Sequence, residues 1–113
     1  MQTDEFSLGL LLGIIISDGH FGGDGKQPQI TLRMHVRHAQ LLAWMINVVP
    51  GSKLYGPYKH DGRNYFQWMV RGAPLKELVE RFKHTTFEYL DPYSYERFQK
   101  MLKNYPALSK GAP

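Results

Sequence analysis

The residues best placed for chemistry close an apolar run, Leu11-Leu12-Gly13-Ile14-Ile15-Ile16-Ser17-Asp18-Gly19. The run reads as a helix that stops on a carboxylate and a glycine. Upstream, Asp4 and Glu5 supply the negative charge that a helix start favours, with Thr3 or Asp4 as the cap. At the other end the unpaired carbonyls already make the potential negative, so Asp18 is unfavourable there unless a cation arrives. Gly9, Gly13 and Ser17 recur every four residues and leave one helix stripe almost without bulk. Each helical glycine costs roughly 0.5–1 kcal/mol relative to alanine, so two on one stripe point to a second backbone packed very close. A helix pair that delivers Asp18 to a shared electronegative point is a candidate metal site. The competing reading is a buried helix stopped by an Asp-Gly cap.

A second group of residues shares one sign of charge. Residues 29–37 alternate strictly, with Ile30, Leu32, Met34 and Val36 on one face and Gln29, Thr31, Arg33, His35 and Arg37 on the other. That is the period of a strand. Lys53, Tyr55 and Lys59 alternate on a third strand, and Arg63, Tyr65, Gln67 and Arg71 on a fourth. Lys26 and Gln27 stand in the glycine-rich turn before them. Acidic residues are nearly absent from these outward positions, Asp61 being confined to a turn. Arginine and glutamine read guanine and adenine edges in the major groove, and lysine suits phosphates. Solvation alone does not select one charge across three strands, so the face is read as a DNA-binding surface. On the fourth strand the opposite register, with Phe66, Trp68 and Val70 outward, is the alternative to their burial.

The elements that must position these groups follow from patterning. After the first helix and a short strand at His20-Phe21 comes the strand 29–37. A helix over 38–49 turns Leu41, Leu42, Met45 and Val48 inward. Strands 52–59 and 63–71 form a hairpin across His60-Asp61-Gly62, an Asp-Gly turn signal. Pro74 opens a helix with Leu75, Leu78, Val79 and Phe82 on one face. Asp91-Pro92 starts the last helix, 92–104, with Tyr95, Phe98 and Leu102 inward. The order αββαββαα predicts one α+β domain over residues 1–105, an antiparallel sheet with helices on one face, followed by a flexible tail over 106–113.

Composition bounds the function. The chain has 113 residues, a net charge of +4 and no cysteine, with a pI near 9.4. Positive charge favours nucleic acid first and an acidic membrane surface second. The lack of cysteine excludes disulfides and thiolate metal sites. The apolar run over residues 8–16 is shorter than the roughly 20 residues needed to span a bilayer, and acidic residues rather than basic ones precede it. The expectation is a soluble intracellular protein without a membrane partner.

The helix end resembles the signature of the LAGLIDADG homing endonucleases. Leu11, Gly13, Ile14, Ile15, Asp18 and Gly19 match in identity or type, and Ser17 is small where the family has a small residue. Leu12 replaces the usual alanine, and Ile16 replaces the motif's first, less constant, acidic residue. The family's arrangement, αββαββα with an antiparallel sheet, is similar to the order read above. One copy of the motif is present, and single-motif members act as homodimers. The resemblance therefore implies a dimer interface at Gly9, Leu12, Gly13, Ile16 and Ser17. It implies a site-specific endonuclease, encoded within an intron or intein, that makes a double-strand break in a long, nearly palindromic DNA duplex.

Phosphodiester hydrolysis needs a nucleophilic water, stabilisation of the phosphate charge and an acid for the leaving oxygen, and divalent ions serve the first two. Magnesium prefers hard oxygen ligands and keeps several waters, so few protein ligands suffice. Asp18 from each subunit and the Ser17 carbonyl are the expected ligands of about two or three Mg2+ ions at the shared site. By resemblance, the polar residue at the end of the second strand that orders the water network is His38, whose other reading is a plain helix N-terminal residue. His35 is its neighbour on the groove-facing side, and a His-x-x-His pair without a third ligand does not make a zinc site. Lys83 is the nearest basic candidate for the lysine that the family places near the scissile phosphate. Its other reading is an exposed helix-end lysine, since Thr85, Thr86 and Asp91 stand where a simple match puts that lysine. Two further readings remain. One keeps the fold without the chemistry, as an RNA-binding maturase or a DNA-binding regulator. The other is a small interaction domain whose basic sheet binds an acidic protein.

Overall fold

The computed structural model describes residues 3–109. Asp4, rather than Thr3, caps helix α1 (Glu5–Asp18), its carboxylate accepting the Ser7 N–H at 2.8 Å. That backbone hydrogen bond holds the Asp4 pKa below its ordinary value. Helix α1 passes into strand β1 (Gly19–Gly23) with no connecting residue. A Cβ at Gly19 would lie 2.7 Å from the Ile15 carbonyl oxygen, so the joint requires glycine.

Strand β2 (Pro28–His35) follows, then a 3-10 turn over Val36–His38, helix α2 (Ala39–Val48), strands β3 (Lys53–His60) and β4 (Arg63–Arg71), and helices α3 (Gly72–Phe82), α4 (Phe87–Leu90) and α5 (Pro92–Asn104). The four strands form one antiparallel sheet in the order β1-β2-β4-β3. The β3–β4 turn holds Asp61 at φ 50° and Gly62 at φ 75°. Both values fit the tight hairpin turn that Asp-Gly favours. The fold is the α+β arrangement expected.

One face of the sheet is covered by the helices. Leu11, Leu12, Ile14 and Ile15 of α1 pack with Phe21, Ile30, Leu32, Trp68 and Val70 from the strands. All four apolar residues expected inward on α3 are buried, while Leu41 and Val48 of α2 are only half-buried and Val49 takes the inward place. Phe21, Phe82, Phe87 and Phe98 form an aromatic cluster with ring centroids 5.4–6.5 Å apart. The buried Trp68 indole donates to the Ser52 hydroxyl, which donates to the Val49 carbonyl, so the polar atoms this aromatic brings into the core are satisfied. Burial of Trp68 and Val70 also fixes the register of β4 and excludes the inverted one.

Three local expectations change. Strand β2 ends at His35 rather than residue 37, because the His35 Nδ1 accepts the Arg37 N–H at 3.0 Å and the chain turns there. The one-turn helix α4, which sequence periodicity is too short to reveal, seats Phe87 in the core. Pro106–Leu108, expected within a frayed tail, form a 3-10 turn that buries Leu108; residues 110–113 of that tail lie outside the described residues. Among the described residues no helix is long and apolar enough to cross a membrane.

Candidate nucleic-acid interface and metal site

The face of the sheet opposite the helices carries the polar side chains. Cross-strand pairs put Gln29 beside Arg71, Arg33 beside Gln67 and His35 beside Tyr65. Thr31 and Lys53 flank Met69, an apolar member of this face, and Tyr55 pairs with Gln67. The central group is already organised. The Arg33 Nε donates to the Gln67 Oε1 at 3.3 Å, and its guanidinium lies 5.4 Å from the centroid of the Tyr65 ring. The hydrogen bond and the stacking together restrict the rotamers of this exposed arginine. Lys26 and Gln27 are presented by a turn in which both backbone N–H groups donate to the Asp24 carboxylate at 2.8 Å. The bonds from Gln27 and Lys26 hold that carboxyl below its ordinary pKa, ahead of the weaker attraction of Arg71.

One expected member leaves this face. Between the pairs Tyr55–Gln67 and Tyr58–Tyr65, strand β3 spends two residues, Gly56 and Pro57, where β4 spends one. This bulge inverts the alternation beyond it. Lys59 therefore pairs with Asn64 on the helix side of the sheet, and Tyr58 and His60 take the outward positions beside Tyr65 and Arg63. The Tyr58 and Tyr65 ring centroids are 5.6 Å apart. The Gly-Pro pair inside a strand pattern was the available signal. His20 of β1, paired with Thr31, also joins the outward face.

Asp18 stands at the rim of this surface. It lines two adjoining depressions, one of ≈ 220 Å³ shared with Arg33, His35, Arg37 and His38, the other of ≈ 420 Å³ shared with His20, Gln29, Thr31 and Gln67. Arg37 thus reaches the site from the 3-10 turn instead of from the strand face. Asp18 is exposed, no basic residue lies in the last turn of α1, and no hydrogen bond or ion pair engages its carboxylate among the described residues. A free carboxylate beside helix-end carbonyls, Ser17 included, is a hard-oxygen donor set suited to a cation such as magnesium. Among the described residues no three His, Asp or Glu side chains converge, so one chain alone does not close a metal site.

No known protein-family profile and no curated protein matches the sequence. Solved structures do match. A group I intron-encoded homing endonuclease, I-CeuI, complexed with DNA, aligns at TM-score 0.65 and 13% identity over 97% of this chain and 61% of its own. An archaeal intron-encoded homing endonuclease, I-Vdi141I, complexed with DNA, aligns at TM-score 0.58 and 12% identity over 98% and 89%. The I-LtrWI LAGLIDADG homing endonuclease, bound to target DNA, aligns at TM-score 0.51 and 15% identity over 96% and 41%. This is the LAGLIDADG homing endonuclease fold. The chain spans 61% of the length of I-CeuI.

Within the LAGLIDADG fold the motif is helix α1 with its joint to β1. Its outer stripe is open: Gly9, Gly13 and Ser17 are exposed, with Phe6 75% and Leu10 39% exposed beside them. A Cβ at Gly9 or Gly13 would meet nothing within 4 Å, so neither glycine is required by the chain's own packing. Ile16 is half-buried at the edge of the stripe. Leu12, expected on it, turns instead into the core at 3% exposure. Lys83 is also displaced from its expected role. It caps the C-terminus of α3 and faces Glu80 at 3.5 Å, while the adjacent Arg81 donates to the Thr3 carbonyl at the start of α1. The 14 residues of α1 rise about 21 Å, so Lys83 stands at the opposite end of the helix from Asp18. The groups gathered round Asp18 are Arg33, His35, Arg37 and His38.

Proposed function

We propose that two copies of this chain form a divalent-metal-dependent, site-specific DNA endonuclease that cleaves a long, nearly palindromic duplex. The observation that carries the reading is Asp18, an unpartnered carboxylate at the foot of a basic sheet face and at the end of a helix with an open, small-residue stripe. Helix α1 is apolar all round, and such a helix is stable in water only when covered on every side. A second copy packed on Phe6, Gly9, Leu10 and Gly13 covers the open side and brings a second Asp18 to the first.

Each residue then has a defined task. The two Asp18 carboxylates, with the Ser17 carbonyls, would hold magnesium, which supplies positive charge against the phosphate during hydrolysis. Arg33 and Gln67 engage base edges, and Lys53, Arg63 and Arg71 neutralise the backbone. Arg37 sits beside Asp18 and holds a phosphate oxygen in line. His38, exposed in the same depression, takes the proton of the attacking water. As water attacks phosphorus, the bond to the leaving oxygen breaks and that oxygen takes up a proton from solvent water.

The test is single-turnover cleavage of a duplex target selected from a randomised library, comparing wild type with Asp18→Asn in magnesium. Asparagine keeps the shape and can still end a helix, but removes both charged ligands of the dimer. Binding should survive and cleavage should fall by several orders of magnitude. Calcium should support binding without cutting. Equal rates for the two proteins would remove Asp18 from the mechanism and the nuclease reading with it.

A further inference from the structure

We propose that the cavity between β1 and α5 is a separate phosphate site, taking one backbone phosphate of the duplex beyond the tract that lies on the sheet face. The proposal rests on the DNA-binding reading above. The cavity, ≈ 230 Å³, has one wall of nearly bare backbone at Gly22 and Gly23 on the edge strand. The facing wall is α5, which contributes Arg97 and Lys100, three residues apart and hence on one helix side.

The chemistry of the lining selects an anion. No Asp or Glu lines the cavity, and neither Arg97 nor Lys100 has a carboxylate partner among the described residues. The Arg97 guanidinium lies 5.2 Å from the centroid of the Tyr93 ring, which steadies it without neutralising it. The Tyr105 hydroxyl accepts the Gly25 N–H at 2.9 Å, so its own proton is left to donate. Two cations, a hydroxyl donor and the Asn104 amide therefore converge with no opposing charge. The geometry also says which anion. His20 lines both this cavity and the larger depression that holds Asp18. A backbone leaving the sheet face across β1 passes His20 and meets the cavity next.

Binding of a selected duplex is measured across about 50–300 mM salt for wild type, R97Q/K100Q, N104D and K103Q. Lys103 is exposed on α5 but does not line the cavity. Loss of one phosphate contact lowers the log–log salt slope by about 0.9 per subunit, which is about eightfold in affinity at 0.1 M relative to 1 M. R97Q/K100Q should show that loss equally on target and unrelated duplexes. N104D, which puts a carboxylate into the same cavity, should weaken binding in the same sequence-independent way, and K103Q should not. Ethylation of one phosphate flanking the target should interfere with wild type and have no effect on R97Q/K100Q. An unchanged slope in R97Q/K100Q while wild type binds, or an equal loss in K103Q, overturns this site alone. Salt-insensitive or absent duplex binding by wild type overturns the DNA reading and this site together.

Discussion

Replacing Gly13 by alanine should move folding and association in opposite directions. Gly13 lies in the middle of α1, is exposed, and a Cβ built on it meets nothing within 4 Å. In the isolated chain the substitution therefore adds no clash and removes the conformational freedom of a helical glycine, stabilising the fold by about 0.5–1 kcal/mol. In a dimer whose helices touch along this stripe, the methyl enters a closed contact. Overpacking of that kind costs about 1–3 kcal/mol per insertion, and the two-fold axis doubles it. The dimer should weaken by about 2 kcal/mol or more, at least thirtyfold in dissociation constant. Urea unfolding at nanomolar protein gives the first quantity, and sedimentation velocity across a concentration series gives the second. A variant that dimerises as tightly as wild type, or a wild type that stays monomeric at micromolar concentration, would refute the assignment of this stripe to a second copy.

Other outcomes follow from the geometry. Arg33→Ala, which removes the side chain held by Gln67 and Tyr65, should relax preference at one base pair per half-site by about 1–3 kcal/mol, read from a systematic mutant-target panel. Because the Gly56-Pro57 bulge turns Lys59 off the outward face, Tyr58→Ala should alter that panel and Lys59→Ala should leave its base preferences intact. Asp4 has its pKa lowered in the folded state by the Ser7 N–H, so the stability it adds is complete above its unfolded pKa and is lost as pH falls through the lowered folded value. Asp4→Ala should accordingly lower Tm at neutral pH and flatten the acid side of the stability profile, measured by thermal melts from pH 2 to 7 with salt held constant.

Much of the arrangement was legible because local signals agreed with global packing. The inward positions of α3, the Asp-Gly hairpin and the start of α5 at Pro92 all lie where periodicity and turn chemistry put them. The misplacements share a different cause, since each depends on a contact that spacing does not encode. Lys59 changes face through a single extra residue in β3, and a period-two pattern propagates that error to every later position of the strand. Leu12 sits on an all-apolar helix, where periodicity has no polar stripe to mark the open side. Lys83 was placed by order along the chain, whereas the Arg81–Thr3 contact docks the end of α3 beside the start of α1. The Asp18 site was readable from one helix end. Of the groups around it, Arg33 and His35 lie on β2 itself, whereas Arg37 and His38 are brought in by the turn that follows.

The direct joint of α1 to β1 at Gly19 has a mechanical consequence. With no linker, the helix that would meet a second copy and the strand at the edge of the reading surface move as one lever. In the proposed dimer, the angle between the two copies of α1 would then set the distance between the two sheet faces. For that dimer, a target whose half-sites were one base pair further apart, about 3.4 Å along the duplex, would not be met by flexing the joint. It would have to be met by bending the DNA or by shifting the helix crossing itself. On the proposed reading, base identity within each half-site would drift through exposed side chains that carry no weight in the core, whereas half-site spacing would be tied to the packing of the whole domain.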